Sequence, residues 1–242
     1  MRVVILGAGG LGSIVGAFLA RGNQDVVLIG RPAHVERVRR SGVQVTGLDT
    51  FTARVEATAD PKEVDSADLL LLTTKTYDSE EALDAVDFDV SLAASFQNGV
   101  TKDEVLARRF GRDKVLGAVT GIGASMVGPG VVAHTYDGGT LFGEFGGDVS
   151  KRVLQVVDAF NGGGLQTRAS ERIEDDEWSK LCQYCAASMV SALSRLEYHR
   201  VCKSRPLAQL FVTISREVEA VARGLGRQLR DVASFPVEEV LR

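Results

Sequence analysis

The sequence predicts an α/β protein: a doubly wound parallel sheet followed by an all-α C-terminal domain. Three observations carry that expectation. Residues 1–31 read as strand, glycine turn, helix, strand. Apolar strand runs and helical stretches then alternate to about residue 165, as in a parallel sheet covered by helices. From Ile173 onward the apolar spacing is helical. The boundary is placed at 167/168, with the sheet domain over 1–167 and the helical domain over 168–242.

The first elements are the clearest. Val3–Leu6 is a short apolar run suited to a strand buried on both faces. Gly7, Gly9 and Gly12 follow at G-x-G-x-x-G spacing. Leu11, Ile14, Val15, Phe18 and Leu19 recur at helical spacing, and Gly22 with Asn23 ends that helix. Val26–Ile29 is the second strand. Between a strand and a helix, this glycine spacing is the Rossmann-type dinucleotide fingerprint. The loop Gly7, Ala8, Gly9, Gly10, Leu11, Gly12 would approach a pyrophosphate, and the helix N-terminus would offer it free N–H groups.

The end of the second strand selects the cofactor. An NAD site usually places Asp or Glu there, on the ribose 2′-hydroxyl. This chain has Ile29, Gly30, Arg31. A guanidinium suits a 2′-phosphate, so the expected cofactor is NADPH/NADP+. Arg37, Arg39 and Arg40 on the next predicted helix would add positive potential. A solvated loop arginine is the alternative reading of Arg31.

Further strands are expected at Val43–Thr46, Thr52–Ala57, Leu69–Thr73, Leu92–Phe96 and Val115–Thr120. Val131–Thr135 and Thr140–Phe142 read as antiparallel strands joined through Tyr136, Asp137, Gly138 and Gly139. The character of the chain changes near Gly162, Gly163 and Gly164. Trp178, Leu181, Cys185 and Met189 then mark the apolar face of one helix. Leu207, Leu210, Phe211, Ile214, Val218, Val221 and Leu225 mark a second, stopped by Gly226.

Composition narrows the class of function. The 242 residues are 45% hydrophobic and 25% charged, ordinary for a globular protein. A net charge of -4 argues against a general nucleic-acid binder. No stretch has the length and apolarity of a membrane span. The apolar start reads as a strand, since Gly7–Gly12 interrupt it and no charged leader precedes it. Three cysteines fit a reducing cytoplasm. Cys182 and Cys185 read as small side chains on a helix, and no metal site is expected. Apolar residues of the helical half could pair with a second copy, and a homodimer is the commonest such arrangement.

Two polar loops follow predicted strands: Thr74, Lys75, Thr76, Tyr77, Asp78, and Gln97, Asn98, Gly99. Topology puts both on the same edge as the glycine loop. Lys75 could reach a ribose or a substrate carboxylate, and Asn98 a substrate oxygen or the nicotinamide end. Each is otherwise a solvated loop residue. Lys180 stands near the start of a helix. In a desolvated cleft its pKa falls and it becomes a proton donor near neutral pH; on an open surface it is only a solvated lysine.

The set G-A-G-G-L-G at 7–12, Arg31, T-K-T-Y-D at 74–78, Q-N-G at 97–99 and E-W-S-K-L at 177–181 resembles the 2-dehydropantoate 2-reductase (ketopantoate reductase) family. The resemblance runs through the chain in order. It implies NADPH-dependent reduction of 2-dehydropantoate to (R)-pantoate, on the route to pantothenate and coenzyme A. It implies a helical domain like the C-terminal domain of 6-phosphogluconate dehydrogenase. Gly7–Gly12 and Arg31 would hold cofactor phosphates, and Lys75 and Asn98 would contact cofactor and substrate. Ala124 would lie near the nicotinamide end. Lys180 would be the general acid that protonates the ketone oxygen of a small 2-keto acid. Glu217 matches an acid of the second helix and is read as a structural or helix-pairing residue rather than a catalyst.

The chain departs from the family in two places. The family has asparagines four and eight residues after the catalytic lysine, where this chain has Tyr184 and Ser188. These are expected to line the substrate, and a site with altered hydrogen-bonding groups changes its selectivity. A related reductase with another 2-keto acid is therefore an alternative. The family also continues past the position of Arg242 with further helices, so the helical domain is expected to be short. A weakened NADPH-binding module is the corresponding third reading.

Overall fold

The computed structural model describes residues 1–232 and 236–241. The sheet portion runs β1 (Arg2–Leu6), α1 (Gly10–Arg21), β2 (Asp25–Ile29), α2 (Pro32–Ser41), β3 (Val43–Gly47), β4 (Phe51–Ala53), β5 (Glu56–Thr58), β6 (Ser66–Leu72), α3 (Ser79–Asp84), β7 (Asp89–Ser95), α4 (Lys102–Phe110), β8 (Val115–Gly128), β9 (Val131–Gly143), α5 (Lys151–Gly163) and β10 (Thr167–Ser170). The helical portion has α6 (Ile173–Ser194), α7 (Tyr198–Lys203), α8 (Arg205–Gly224) and α9 (Val237–Leu241).

Unbroken apolar runs make the central strands because both faces of the sheet are covered. In β1, Val3 and Ile5 enter one buried cluster, while Val4 and Leu6 enter the other. β6 divides alike: Leu69 and Leu71 on one side, Leu70 and Leu72 on the other. The parallel strands lie in the order β5-β2-β1-β6-β7-β8. Their order reverses between β1 and β6, which is where a doubly wound sheet opens its ligand crevice. The glycine turn after β1, the Lys75 loop after β6 and the Asn98 loop after β7 therefore share one edge.

The sheet then curls. β8 pairs with β7 through Val115 and Leu116, and continues as the antiparallel partner of β9. β9 carries β3 and β10 in parallel, and β4 adds to β3. β4 and β5 end the strand order on opposite sides, yet only Arg54 and Val55 separate them. Three Cα–Cα steps reach at most roughly 11 Å, so the ends of the ribbon come close together. Inside the curl lies α1, packed on β2, β3, β4, β8, β9 and α5. Gly12–Leu19 of this helix are all buried, consistent with a helix apolar on most sides.

Four sequence expectations change. Thr52–Ala57 is not one strand: its two halves serve opposite ends of the sheet. Tyr136–Gly139 is not a turn. β9 runs through it, the reversal is at Pro129–Gly130, and the glycines lie at a register slip opposite Thr120–Ile122. There, a Cβ on Gly121 would stand 2.9 Å from Gly138 Cα, so the bulge needs bare backbone. The change of character comes later than Gly162–Gly164, which form the end of α5 pressed on α1. A Cβ on Gly163 would sit 2.4 Å from the Phe18 carbonyl oxygen. The sheet then takes one more strand, β10, which crosses the 167/168 boundary, and helices begin at Ile173.

The fourth change concerns α6. Its buried positions include Ser179, Cys182, Ala186 and Val190, not the larger Trp178, Leu181, Cys185 and Met189. Small side chains let α6 approach α8, where the Cys182 thiol donates to the Ser215 carbonyl at 3.2 Å. Met189 is left 48% exposed. Among the described residues no helix is long and apolar enough to cross a membrane.

Candidate active site

The glycine turn is shaped to leave one surface open. A Cβ on Gly12 would fall 2.6 Å from both the Gly7 carbonyl and Thr73 Oγ1, so helix and strand touch there. A Cβ on Gly9 would meet nothing nearer than the Gly7 oxygen at 3.9 Å. α1 starts with no capping side chain and no acidic residue in its first turn. Its first N–H groups therefore face open space with their partial positive charge. Gly7, Ala8, Gly9, Gly10, Leu11 and Gly12 form the cradle that could hold a dinucleotide pyrophosphate. Ala124 flanks the same turn, its carbonyl oxygen 3.2 Å from where a Cβ on Gly10 would stand.

Arg31 is exposed, just before Pro32 at the start of α2. Its backbone carbonyl accepts from His34 and Val35, while its guanidinium makes no ion pair among the described residues. Of the neighbouring cations, Arg39 bonds Glu63 at 2.8 Å and Arg40 pairs with Glu36, while Arg37 is exposed on α2. Arg31, directly after Gly30, which packs on Ala8 of the glycine turn, is thus free to meet a phosphate there. His34 holds this region together. It accepts from the Gly130 N–H at 3.1 Å through Nδ1, which leaves the proton on Nε2 for Ser13 Oγ at 3.0 Å. Burial lowers the His34 pKa, in keeping with a neutral ring. A buried histidine inside an arginine-rich helix gave no periodic signal in the sequence.

The two polar loops are tied by Gln97. Its Nε2 donates to the Thr74 carbonyl at 3.0 Å and to Ser79 Oγ at 2.7 Å. That buried amide fixes the Lys75 loop against the Asn98 loop. Lys75 is exposed, its carbonyl accepting from the Asp78 N–H. Asn98 is exposed and faces a narrow cleft walled by Ala118 and Val119 of β8 and by Lys180 and Tyr184 of α6. The structure therefore brings Asn98, Lys180 and Tyr184 together, with Lys75 on the adjoining loop.

Beneath the cleft lies a charge cluster that the sequence motifs did not reveal. Lys102 Nζ is 2.9 and 2.7 Å from the two carboxylate oxygens of Asp103 and 2.6 Å from Glu177 Oε1. Glu177 Oε1 also accepts from the Ala118 N–H at 3.3 Å, which docks α6 on β8. Burial raises the Glu177 pKa to about 8, against the pull of Lys102. Burial likewise lowers Lys180 to about 8, assisted by Lys102 and opposed by Glu177. The sequence clue was a Lys-Asp pair soon after the Asn98 loop, which reads as ordinary charge on a helix start.

Two expected residues lie elsewhere. Ser188 is exposed beyond Tyr184 on α6, and its hydroxyl donates to the Cys185 carbonyl at 3.2 Å; it does not line the cleft. Glu217 is exposed on α8 and pairs no helices among the described residues; Glu219 makes the local pair, with Arg223.

Comparisons with known proteins agree with this architecture. The family model described as ketopantoate reductase PanE/ApbA matches residues 3–147, and its C-terminal counterpart matches 172–242. The 2-dehydropantoate 2-reductase of Pyrococcus abyssi is 31% identical over 239 residues, covering 98% of this chain and 77% of that protein. The Halobacterium salinarum enzyme of the same name is 35% identical over 202 residues, covering 81% of this chain and 67% of its own length. Among solved structures, 2-dehydropantoate 2-reductase from Geobacter metallireducens superposes with a TM-score of 0.90 at 26% identity, covering 100% of this chain and 81% of that one. A D-mandelate dehydrogenase with NADH and anilino(oxo)acetate shares the fold, with a TM-score of 0.85 at 21% identity over 100% of this chain and 78% of that one.

Proposed function

The chain belongs to the ketopantoate reductase family of oxidoreductases acting on CH–OH groups, and from that premise we propose that it reduces 2-dehydropantoate to (R)-pantoate with NADPH, supplying pantothenate and coenzyme A in the cytoplasm. The carrying observation is the cleft in which Lys180 stands opposite Asn98, on the sheet edge that holds the glycine turn. The turn binds the pyrophosphate and Arg31 the 2′-phosphate. A bound reduced nicotinamide supplies the hydride. Asn98 orients the keto acid, and Lys75 meets cofactor or substrate from the next loop. Lys180 Nζ gives its proton to the ketone oxygen and stabilises the negative charge that develops there.

Lys180→Ala should lower turnover by about a hundredfold or more while NADPH binding persists, read as NADPH consumption with 2-dehydropantoate and as cofactor titration. An unchanged rate would remove Lys180 from the chemistry. A general acid must be protonated, so turnover should be high below pH about 8 and fall as pH rises through it. Tyr184 favours a second reading. An aromatic ring at the cleft, 41% exposed, suits a 2-keto acid bulkier or less polar than ketopantoate, and a panel of keto acids separates the two.

A further inference from the structure

Lys102 faces the cleft but has nothing left to give a substrate. An ammonium has three donors, and these meet Asp103 Oδ1, Asp103 Oδ2 and Glu177 Oε1. The three side chains are 3%, 3% and 5% exposed. Glu177 lies three residues before Lys180 on α6, so the two project from one face of the helix. We propose that the buried Lys102–Asp103–Glu177 cluster sets the charge state of Lys180, its members acting as positioning residues that never touch the substrate. The proposal rests on the reading of Lys180 as the proton donor.

The charge count gives the reason. One cation against two ionised carboxylates leaves a buried negative charge, which is costly. A proton on Glu177 relieves it. Burial is the largest influence keeping that proton on, and Asp103 adds to it while Lys102 opposes it. Lys102 itself stays cationic, because the attraction of both carboxylates outweighs its burial. The titratable and charged groups that line the cleft with Lys180 are Lys102 from α4, and Glu177 and Tyr184 from α6; Asp103 contacts Lys102 outside that lining, β8 presents Ala118 and Val119, and the loop after β7 presents Gln97, Asn98 and Gly99. As pH rises toward 8 Glu177 ionises, and its negative charge then holds the proton on Lys180. The two groups titrate as a pair. Lys180 thus stays charged to a higher pH than burial alone would permit. Asp103 acts on it through Glu177, by delaying that ionisation.

Two variants push in opposite directions, and each leaves Lys102 with one carboxylate partner. Glu177→Gln removes the helpful charge, so the Lys180 midpoint should fall by about 1 pH unit. Asp103→Asn lets Glu177 ionise earlier, so the midpoint should rise. Competitive acetylation of Lys180 across pH, without substrate, reads the midpoint independently of turnover, and the pH profile of kcat reads it again. Opposite shifts in the acetylation curves support the cluster. Superimposable curves for the wild type and both folded variants overturn it, as do shifts of the same sign. If acetylation midpoints move oppositely but the kcat profile does not follow, the cluster stands and the proton-donor role of Lys180 fails.

Discussion

Lys102 and Lys180 share a cleft under opposite constraints. Lys102 spends its charge on two carboxylates, while Lys180 has no hydrogen-bond or ion-pair partner among the described residues and is left able to part with a proton. Glu177 carries a stability consequence of its own. Its folded pKa is raised from 4.5 to about 8, so between those values the folded chain keeps a proton the unfolded chain has lost. Stability should therefore fall as pH rises across that window. Thermal melts of the wild type should show that slope, and Glu177→Gln should flatten it. Arg31 makes a different prediction. Arg31→Ala should weaken NADPH binding about 10- to 100-fold, the worth of a charged hydrogen bond, and leave NADH nearly unaffected; equal loss for both would place the guanidinium elsewhere. At this scale the sequence was informative wherever a strand end dictated position. Asn98 and Lys180 could be assigned to one crevice from topology and motif order. The Lys102 cluster could not, because Glu177 lies 75 residues from the Lys102–Asp103 pair and their contact depends on how α4 and α6 meet.

Elements expose a different limit of sequence reading. Helical spacing marked Trp178, Leu181, Cys185 and Met189 as the apolar face of α6. Packing selected the small residues Ser179, Cys182 and Ala186, because closeness to α8 outweighed bulk. The same competition explains Gly162–Gly164. Three glycines read as a change in the character of the chain, yet Gly163 is bare because Gly22 and Phe18 of the α1 end press on it. Gly163→Ala should force α1 and α5 apart and cost about 1–3 kcal/mol, measured by denaturant unfolding; a neutral result would show that the contact relaxes freely. The start of α6 is held by side chains from the segment after α8. Arg230 grips Asp176 at 2.6 and 2.9 Å, and Arg227 reaches Glu174 at 2.5 Å. Lys180 stands one turn beyond this clamp, so the clamp steadies the helix that presents it.

For the whole molecule, the strand order β5-β2-β1-β6-β7-β8 follows from the opening strand–glycine–helix unit and the alternation after it. The curl of β8, β9, β3 and β4 around α1 was not legible, because nothing local says that residues three apart, Ala53 and Glu56, bracket the passage from one end of the sheet to the other. That enclosure has a kinetic consequence. A helix wrapped by strands on several sides cannot peel away alone, so its amides open only when the sheet itself comes apart. In deuterium exchange, the interior amides of α1 should belong to the slowest class, while those of α7 and α8 should exchange through smaller openings. The phosphate cradle at the head of α1 would then be the stationary wall of the crevice, and access for ligands would be governed by excursions of the opposite wall, α6.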